Sequence, residues 1–373
     1  MIEIPFLRPH LVGTDAYAGY LSEIDTSRRY SNFGPLNARF ERRVLAEHFG
    51  GEGAVVTVAN ATSGLMLATE LCRRPGGRYV LMPSFTFVAT PQAVRWCGLE
   101  PYFIDIRTND WHMDESLVEE TLRLVGDEVA AVMPYATFGA APDVQYYRKL
   151  HASGVPVVVD AASSFGSTDE TGQFGKGFPG MVVFSFHATK AFGIGEGGMV
   201  YSGDAEAAAN LRRAANFGFS DEREVIMQGM NAKMSEYAAA VALATLDVFA
   251  HKVRLRRQIH RWYMRAFDER GLLGRGWAFH RARGNVPYQF VAALCPDGVR
   301  NRDVVSFLAK RGIQSRTYFD PPCHRHSYFR SCRRTPLPIT EAVSKRVISL
   351  PLWEEMSENH VDRVADALAA LPA

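Results

Sequence analysis

The stretch FSFHATKAFGIGEGGMV, Phe184 to Val200, holds two groups of residues able to do chemistry. Gly193, Gly195 and Gly198 spell G-x-G-x-x-G, the pattern that cradles a dinucleotide pyrophosphate at a helix start. Lys190, just ahead of them, is an amine that can bond a carbonyl carbon as a Schiff base. Lysine is scarce in this arginine-rich chain: Lys149, Lys176, Lys190, Lys233, Lys252, Lys310 and Lys345. That scarcity shortens the list of lysine nucleophiles.

The surroundings decide between the two chemistries. A dinucleotide fingerprint follows a strand, opens a helix and has an acidic residue about 20 positions on. Here HATKAF precedes Gly193, the strand-like MVYSG follows Gly198, and position 218 is glycine. Lys190 has the better context. It follows the apolar run MVVFSF, and strand ends in open α/β sheets present catalytic groups. The run VPVVVDAA ends in Asp160, a carboxylate that is costly to bury unless paired. Pyridoxal phosphate supplies such a partner. Its ring nitrogen, kept protonated by an aspartate, makes the ring an electron sink, and a lysine holds the aldehyde. Its phosphate needs backbone N–H groups at a helix start plus hydroxyls. ATSG (61–64) offers Thr62 and Ser63, Ser185 adds a hydroxyl, and Phe87 in SFTFVAT offers a flat apolar cover. Alone, a strand-end Asp is a helix cap and SFHATK is a turn. Strand-end Asp, then Lys, then a glycine turn in this order argues for one site.

These residues need elements to position them. The chain has 373 residues, 47% hydrophobic and 22% charged, with net charge +2. That is the make-up of a globular protein with room for a large core. No basic run interleaved with aromatics points to nucleic acid. No apolar run is long enough to span a bilayer, and MIEIPFLRPHLVG lacks a basic n-region followed by an apolar stretch. A cytoplasmic protein without a membrane partner is therefore expected. Five widely spread cysteines, an odd number, read as free thiols.

Through about Val200 the pattern alternates short apolar runs with amphipathic stretches, as in parallel α/β domains. GAVVTVAN, RYVLMP, PYFIDI, AAVMPY, VPVVVDAA and MVVFSF read as strands. SGLMLATELCRR, TPQAVRWCG and VQYYRKLHASG read as helices. A helix is expected from Lys233 to about Phe267, bridging into a smaller α/β unit. There YQFVAAL and IQSRTYF read as strands, and DVVSFLAKRG and HVDRVADALAAL as helices. The division is drawn as 1–245 for a large cofactor-binding domain and 246–373 for a small C-terminal domain.

Together, DAASSFGS (160–167), SFHATKAFGIGEGGMV (185–200), PSFTFVAT (83–90) and GMNAKMSEYAAA (229–240) resemble the DegT/DnrJ/EryC1/StrS family of pyridoxal-phosphate sugar aminotransferases. The resemblance runs from RRYSNFGPLNARFE to ISLPLW. RRYSNFGP and RGIQSRTYFDPPCH are most similar to the branch that aminates the C4 ketone of nucleotide-linked 4-keto-6-deoxyhexoses. The resemblance implies an α/β protein of fold type I: a mixed, mostly parallel sheet in the large domain, a smaller C-terminal α/β domain, and a homodimer with shared active sites. It implies Lys190 as the Schiff-base lysine, Asp160 at the pyridine nitrogen, Phe87 on the ring, and Thr62, Ser63 and Ser185 at the phosphate. Asn231 matches the residue that reaches the partner subunit's phosphate. The family often carries Gln or His where this chain has Ser163, which leaves open the usual contact to the cofactor's ring hydroxyl. The implied reaction takes an amino group from L-glutamate and delivers it to a keto-sugar nucleotide. Amination at C3, a cyclitol ketone as acceptor, and a cofactor-binding regulator without turnover are the alternatives.

Other groups carry weaker expectations. CHRHSYFRSC holds Cys323, His324, His326 and Cys332, but its spacing matches no standard zinc site, so no metal is expected. The resemblance makes this segment a substrate loop, with Arg316 and His324 near the sugar nucleotide; a guanidinium suits phosphate oxygens. Tyr30 and Asn32 are candidate ligand contacts across the interface. His187 is expected to position the turn.

Overall fold

Consecutive residues of a strand point to opposite faces of its sheet. In the central strands of this chain both faces are apolar. Val158, Val159, Val182, Val183, Met199 and Val200 are each at most 3% exposed. Val159, Val182 and Met199 enter one hydrophobic cluster, while Val158, Val183 and Val200 enter another. A sheet built from such runs must be covered by helices on both faces.

The computed structural model describes residues 2–371. Helices α1 (Ala18–Ser27) and α2 (Pro35–Phe49) lead into β1 (Ala54–Val58) and α3 (Ala61–Cys72). Next come β2 (Tyr79–Pro83), α4 (Ala89–Trp96), β3 (Glu100–Ile104), α5 (Glu115–Val125), β4 (Val129–Val132), α6 (Val144–Ala152) and β5 (Val158–Asp160). A small hairpin, β6 (Thr168–Asp169) and β7 (Gly172–Gln173), precedes β8 (Met181–Ser185), β9 (Gly198–Ser202) and α7 (Ala205–Ala214). The long helix α8 (Glu236–Glu269) is followed by β10 (Ala278–Phe279), β11 (Val291–Leu294), α9 (Asn301–Ala309), α10 (Pro338–Ser344), β12 (Val347–Leu350) and α11 (Glu358–Ala369).

The ladders β1–β9–β8–β5 and β3–β2–β4 join through parallel bridges Val132–Val157 and Tyr135–Asp160. One mixed sheet results, in the order β1-β9-β8-β5-β4-β2-β3. Only β9 runs against the others. The carboxyl ends of β1, β2, β5 and β8 therefore share one edge. The second, antiparallel sheet β10-β11-β12 packs with α9, α11 and the far half of α8. Helix α8 contributes residues up to Val253 to the first cluster and from Ile259 to the C-terminal one. Residue 245 lies inside this helix. Phe85 and Phe138 meet Phe290, Ala292 and Val347 in a further cluster between the two sheets.

The run IQSRTYF differs from expectation. It forms isolated bridges, Ile313 with Ile4 and Arg316 with Ser349, rather than a strand. Its backbone pairs with two different neighbours in turn, so no continuous ladder forms. YQFVAAL likewise becomes a strand only from Val291. The preceding Tyr288 has φ 44°, the left-handed region that a tyrosine rarely adopts.

Two local devices hold the site edge in place. The buried Glu236 carboxylate accepts from Leu36 N–H at 2.8 Å and Asn37 N–H at 2.9 Å, satisfying first-turn donors of α2. Gly198 lets β9 lie against the start of α3. A Cβ there would stand 2.8 Å from both the Ala61 nitrogen and the Phe184 oxygen. Both are backbone atoms and cannot swing aside. Gly198→Ala is therefore expected to cost about 1–3 kcal/mol of stability. Thermal denaturation beside Gly13→Ala, whose added Cβ meets nothing within 4 Å, checks this. Equal melting of the two variants would contradict the packing.

Candidate active site

The glycine question resolves first. Gly193 and Gly195 lie in the connection from β8 to β9 and Gly198 opens β9, so a strand rather than a helix follows them. They fold the chain back on itself: Ala188 N–H donates to the Gly195 oxygen at 2.8 Å and Phe186 N–H to the Gly197 oxygen at 2.9 Å. A Cβ at Gly193 would stand 2.6 Å from the Ala188 oxygen, and Gly195 has φ 103°. These glycines close the turn that carries Lys190.

Asp160 ends β5 at 2% exposure. Thr90 Oγ1 donates to its Oδ2 at 2.7 Å, and Ala162 N–H to its Oδ1 at 3.2 Å. Burial raises the carboxyl's pKa, against the Thr90 hydroxyl, the Ala162 N–H and the Lys190 charge. Thr90 also donates its N–H to the Phe87 carbonyl at 3.2 Å. Phe87 is thus tied to the segment that grips Asp160, yet its ring is 55% exposed.

Lys190 Nζ donates to Ser163 Oγ at 2.9 Å and to Gln289 Oε1 at 3.2 Å. Burial lowers its pKa to about 8, opposed by the Asp160 charge. Desolvation disfavours the ammonium, so the neutral amine is reached more easily than on a surface lysine. Leu7, Arg8, His10, Lys252 and Arg256 line the crevice beside Lys190.

At the start of α3, Asn60 caps the helix: its Oδ1 accepts from Ser63 N–H at 2.9 Å. Ser63 Oγ donates to the Asn60 carbonyl at 2.8 Å. The first-turn N–H groups of Ala61 and Thr62 have no intrahelical acceptor. Ser185 pairs with Gly198, which abuts Ala61, so the Ser185 hydroxyl lies beside the same helix end.

The expected residues thus separate into two groups. Lys190, Asp160, Ser163, Phe87, Thr62, Ser63 and Ser185 converge on the carboxyl edge of the sheet. Tyr30, Asn32 and Asn231 form an exposed group; Asn231 precedes Ala232, whose carbonyl accepts from Ala59 N–H at 2.7 Å just ahead of α3. Tyr30 stacks on Tyr237 with ring centroids 6.2 Å apart. The exposed Arg316 sits over the Phe6 ring. His324 is 4% exposed, with Nδ1 2.7 Å from Ser84 Oγ and Nε2 3.3 Å from Glu341 Oε1. Burial lowers its pKa, against the Glu341 contact. It borders a cavity of about 370 Å³ lined also by Arg325, Arg330 and Arg334. His187 Nδ1 lies 2.8 Å from Thr189 Oγ1, which fits a positioning role.

Sequence reasoning missed Thr90, Asn60 and Gln289. Thr90 stood inside PSFTFVAT, three residues beyond Phe87. Gln289 had one weak signal, a polar residue at the head of an apolar run. Among the described residues no group of three His, Cys, Asp or Glu side chains is placed to hold a metal. Among the described residues no helix is long and apolar enough to cross a membrane.

The residues present fit pyridoxal phosphate. The buried carboxylate keeps acceptor capacity beyond its two bonds, the amine is biased toward its neutral form, and free N–H donors open α3. Comparisons with known proteins agree. The model of the DegT/DnrJ/EryC1/StrS aminotransferase family matches residues 14–369. Protein Rv3402c of Mycobacterium tuberculosis is 34% identical over 98% of this chain and 89% of its own. The dTDP-4-amino-4,6-dideoxy-D-glucose transaminase of Escherichia coli is 29% identical over 98% of both chains. The crystal structure of a putative PLP-dependent aminotransferase from Bacillus cereus superimposes with a TM-score of 0.97 at 47% identity, covering 98% of this chain and 99% of that one. DesI, solved in the presence of its TDP-sugar product, gives 0.88 at 33% identity, covering 98% and 92%. The chain belongs to the DegT/DnrJ/EryC1/StrS aminotransferase family and is a pyridoxal-phosphate enzyme of fold type I.

Proposed function

We propose that this aminotransferase moves an amino group from L-glutamate to the C4 ketone of a nucleotide-linked 4-keto-6-deoxyhexose. The observation that carries the reading is Lys190, a part-buried amine whose pKa is lowered to about 8, held at the same sheet edge as the buried Asp160. The similarity to the Escherichia coli dTDP-4-amino-4,6-dideoxy-D-glucose transaminase and to DesI with its TDP-sugar product supports a nucleotide sugar as acceptor, and the former supports C4. Amination at C3 would use the same residues.

Bound pyridoxal phosphate supplies an electron sink for the carbanion left when a donor loses its α-proton. The chain's own groups do the rest. Asp160 stays buried and ionised by holding a protonated ring nitrogen, replacing the water it has lost. Lys190 Nζ would hold the aldehyde carbon and, when free, would carry the proton to and from the donor's α-carbon. Thr62, Ser63 and Ser185, with the N–H groups opening α3, hold the phosphate dianion at the positive end of that helix. Phe87 covers the ring. Asn231, exposed in its own subunit, would serve the partner's phosphate in a cytoplasmic homodimer. Arg316 and His324 would meet the sugar nucleotide from their own subunit, and Tyr30 and Asn32 would meet it across the interface.

Two measurements test this reading. Lys190→Ala should lower turnover of L-glutamate with dTDP-4-keto-6-deoxyglucose by about three orders of magnitude or more. Asp160→Asn should lose about two orders. Wild-type turnover in Lys190→Ala would overturn the assignment. The second measurement uses pH. Only a neutral amine attacks an aldehyde, and the ammonium of Lys190 gives up its proton near pH 8. Capture of the cofactor by cofactor-free protein, followed by visible absorbance, should therefore speed up as pH rises through about 8. A rise only above about pH 10, as for an ordinary lysine, would contradict the burial of Lys190.

A further inference from the structure

Lys190 spends part of every cycle unattached to the cofactor, and something must then hold Nζ within reach. Two acceptors do so here, and one comes from far along the chain. Gln289 is 8% exposed. Its Oε1 accepts from Lys190 Nζ at 3.2 Å and from Ser163 Oγ at 2.9 Å. Its Nε2 donates to Thr189 Oγ1 at 3.3 Å. Those contacts leave the amide a single orientation: turned over, it would set an NH₂ against an ammonium.

The backbone that presents Gln289 is fixed as firmly. Arg256 Nη1 donates to the Tyr288 carbonyl at 2.8 Å and to the Gln289 carbonyl at 3.4 Å. Arg256 Nε meets Glu354 Oε1 at 2.9 Å, with both side chains nearly buried. His260 stacks on Tyr288 at 4.0 Å. Tyr288 holds its left-handed φ of 44° immediately before Gln289. A non-glycine residue kept there signals surroundings that over-determine the backbone, a feature that gathers at functional sites.

We infer that Gln289, together with Ser163, is a positioning residue that docks the free Lys190 amine, supplied to the site by the C-terminal part of the chain. This rests on the reading of Lys190 as the reacting amine. The pair works because both acceptors are neutral: they hold the ammonium without fixing its proton as a carboxylate would. The charged or titratable groups around Nζ are Asp160 at the end of β5, Tyr135 beside Ser163, Lys252 and Arg256 from α8, and Arg8 and His10 from the N-terminal segment. Substituting Gln289 leaves all of these in place, whereas Ser163→Ala also removes a hydroxyl that Tyr135 meets.

The test follows the pH midpoint of cofactor capture by cofactor-free, full-length protein. Gln289→Leu keeps the bulk and removes the acceptor. The ammonium loses stabilisation, so the midpoint should fall by about one pH unit. Gln289→Glu keeps the reach and adds a negative charge, so the midpoint should rise. Ser163→Ala should act like Gln289→Leu, more weakly, and serves if either Gln289 variant fails to fold. In the loaded enzyme Gln289→Leu should lower kcat about tenfold while KM for L-glutamate changes less than threefold. Opposite shifts for Leu and Glu support docking. A wild-type midpoint in Gln289→Leu and Ser163→Ala, with only a lowered melting temperature, would overturn it. A wild-type protein that captures no cofactor would instead defeat the reading of Lys190 itself.

Discussion

Everything at the working edge of this protein answers one demand: an amine and a carboxylate must stay ionisable where water has been removed. Burial pushes the Lys190 ammonium toward the neutral amine and the Asp160 carboxylate toward the neutral acid. Left without partners, Asp160 would lose the charge its chemistry needs and Lys190 could not hold the proton it must carry. The chain answers with neutral dipoles rather than with a tight ion pair. Thr90 and the Ala162 N–H serve the carboxylate, while Ser163 and Gln289 serve the amine. Neutral partners keep both groups adjustable when a cationic ring and an anionic phosphate arrive. The sheet supplies the address, since its parallel strands bring the carboxyl ends of β1, β2, β5 and β8 to one edge.

The part of this arrangement set by local pattern is legible in the sequence. VPVVVDAA announces a doubly buried strand with an acid at its end, and MVVFSF announces its neighbour. The failed dinucleotide context of Gly193, Gly195 and Gly198 is equally readable, because a strand and a helix after the last glycine differ in their residue pattern. The family resemblance then assigns roles that pattern alone cannot. The hidden part depends on contacts between distant segments. Gln289 reaches Lys190 across 99 positions of sequence. Nothing near residue 289 hints at its target, because the approach is made by Arg256 and by a left-handed tyrosine. IQSRTYF reads as a strand by composition and fails to become one because its backbone is shared between Ile4 and Ser349.

A similar division separates chemistry from selectivity. The reacting groups sit on strand ends and a helix start, where geometry follows from the sheet. Tyr30, Asn32, Arg316 and His324 sit on connections, and such segments vary most freely among relatives that share a scaffold. His324 borders a cavity with Arg325, Arg330 and Arg334, in a segment from 323 to 334 with no acidic residue. On the proposed function, substrate choice falls to these side chains, whose positions no periodicity reveals.

Helix α8 gives the molecule a further property. Its 34 residues span about 51 Å at the usual rise. Near one end Glu236 secures the first turn of α2, and midway Arg256 secures the segment bearing Gln289. The seam between the two hydrophobic clusters therefore runs through a rigid beam, not through a loop. Domains usually part company at exposed linkers, where a cut severs few contacts. Here a crossover between homologous genes inside α8 would join one parent's α2 anchor to the other's lysine dock. Chimaeras that exchange acceptor preference should accordingly carry α8, Tyr288–Gln289 and Glu354 from a single parent and place their joints elsewhere.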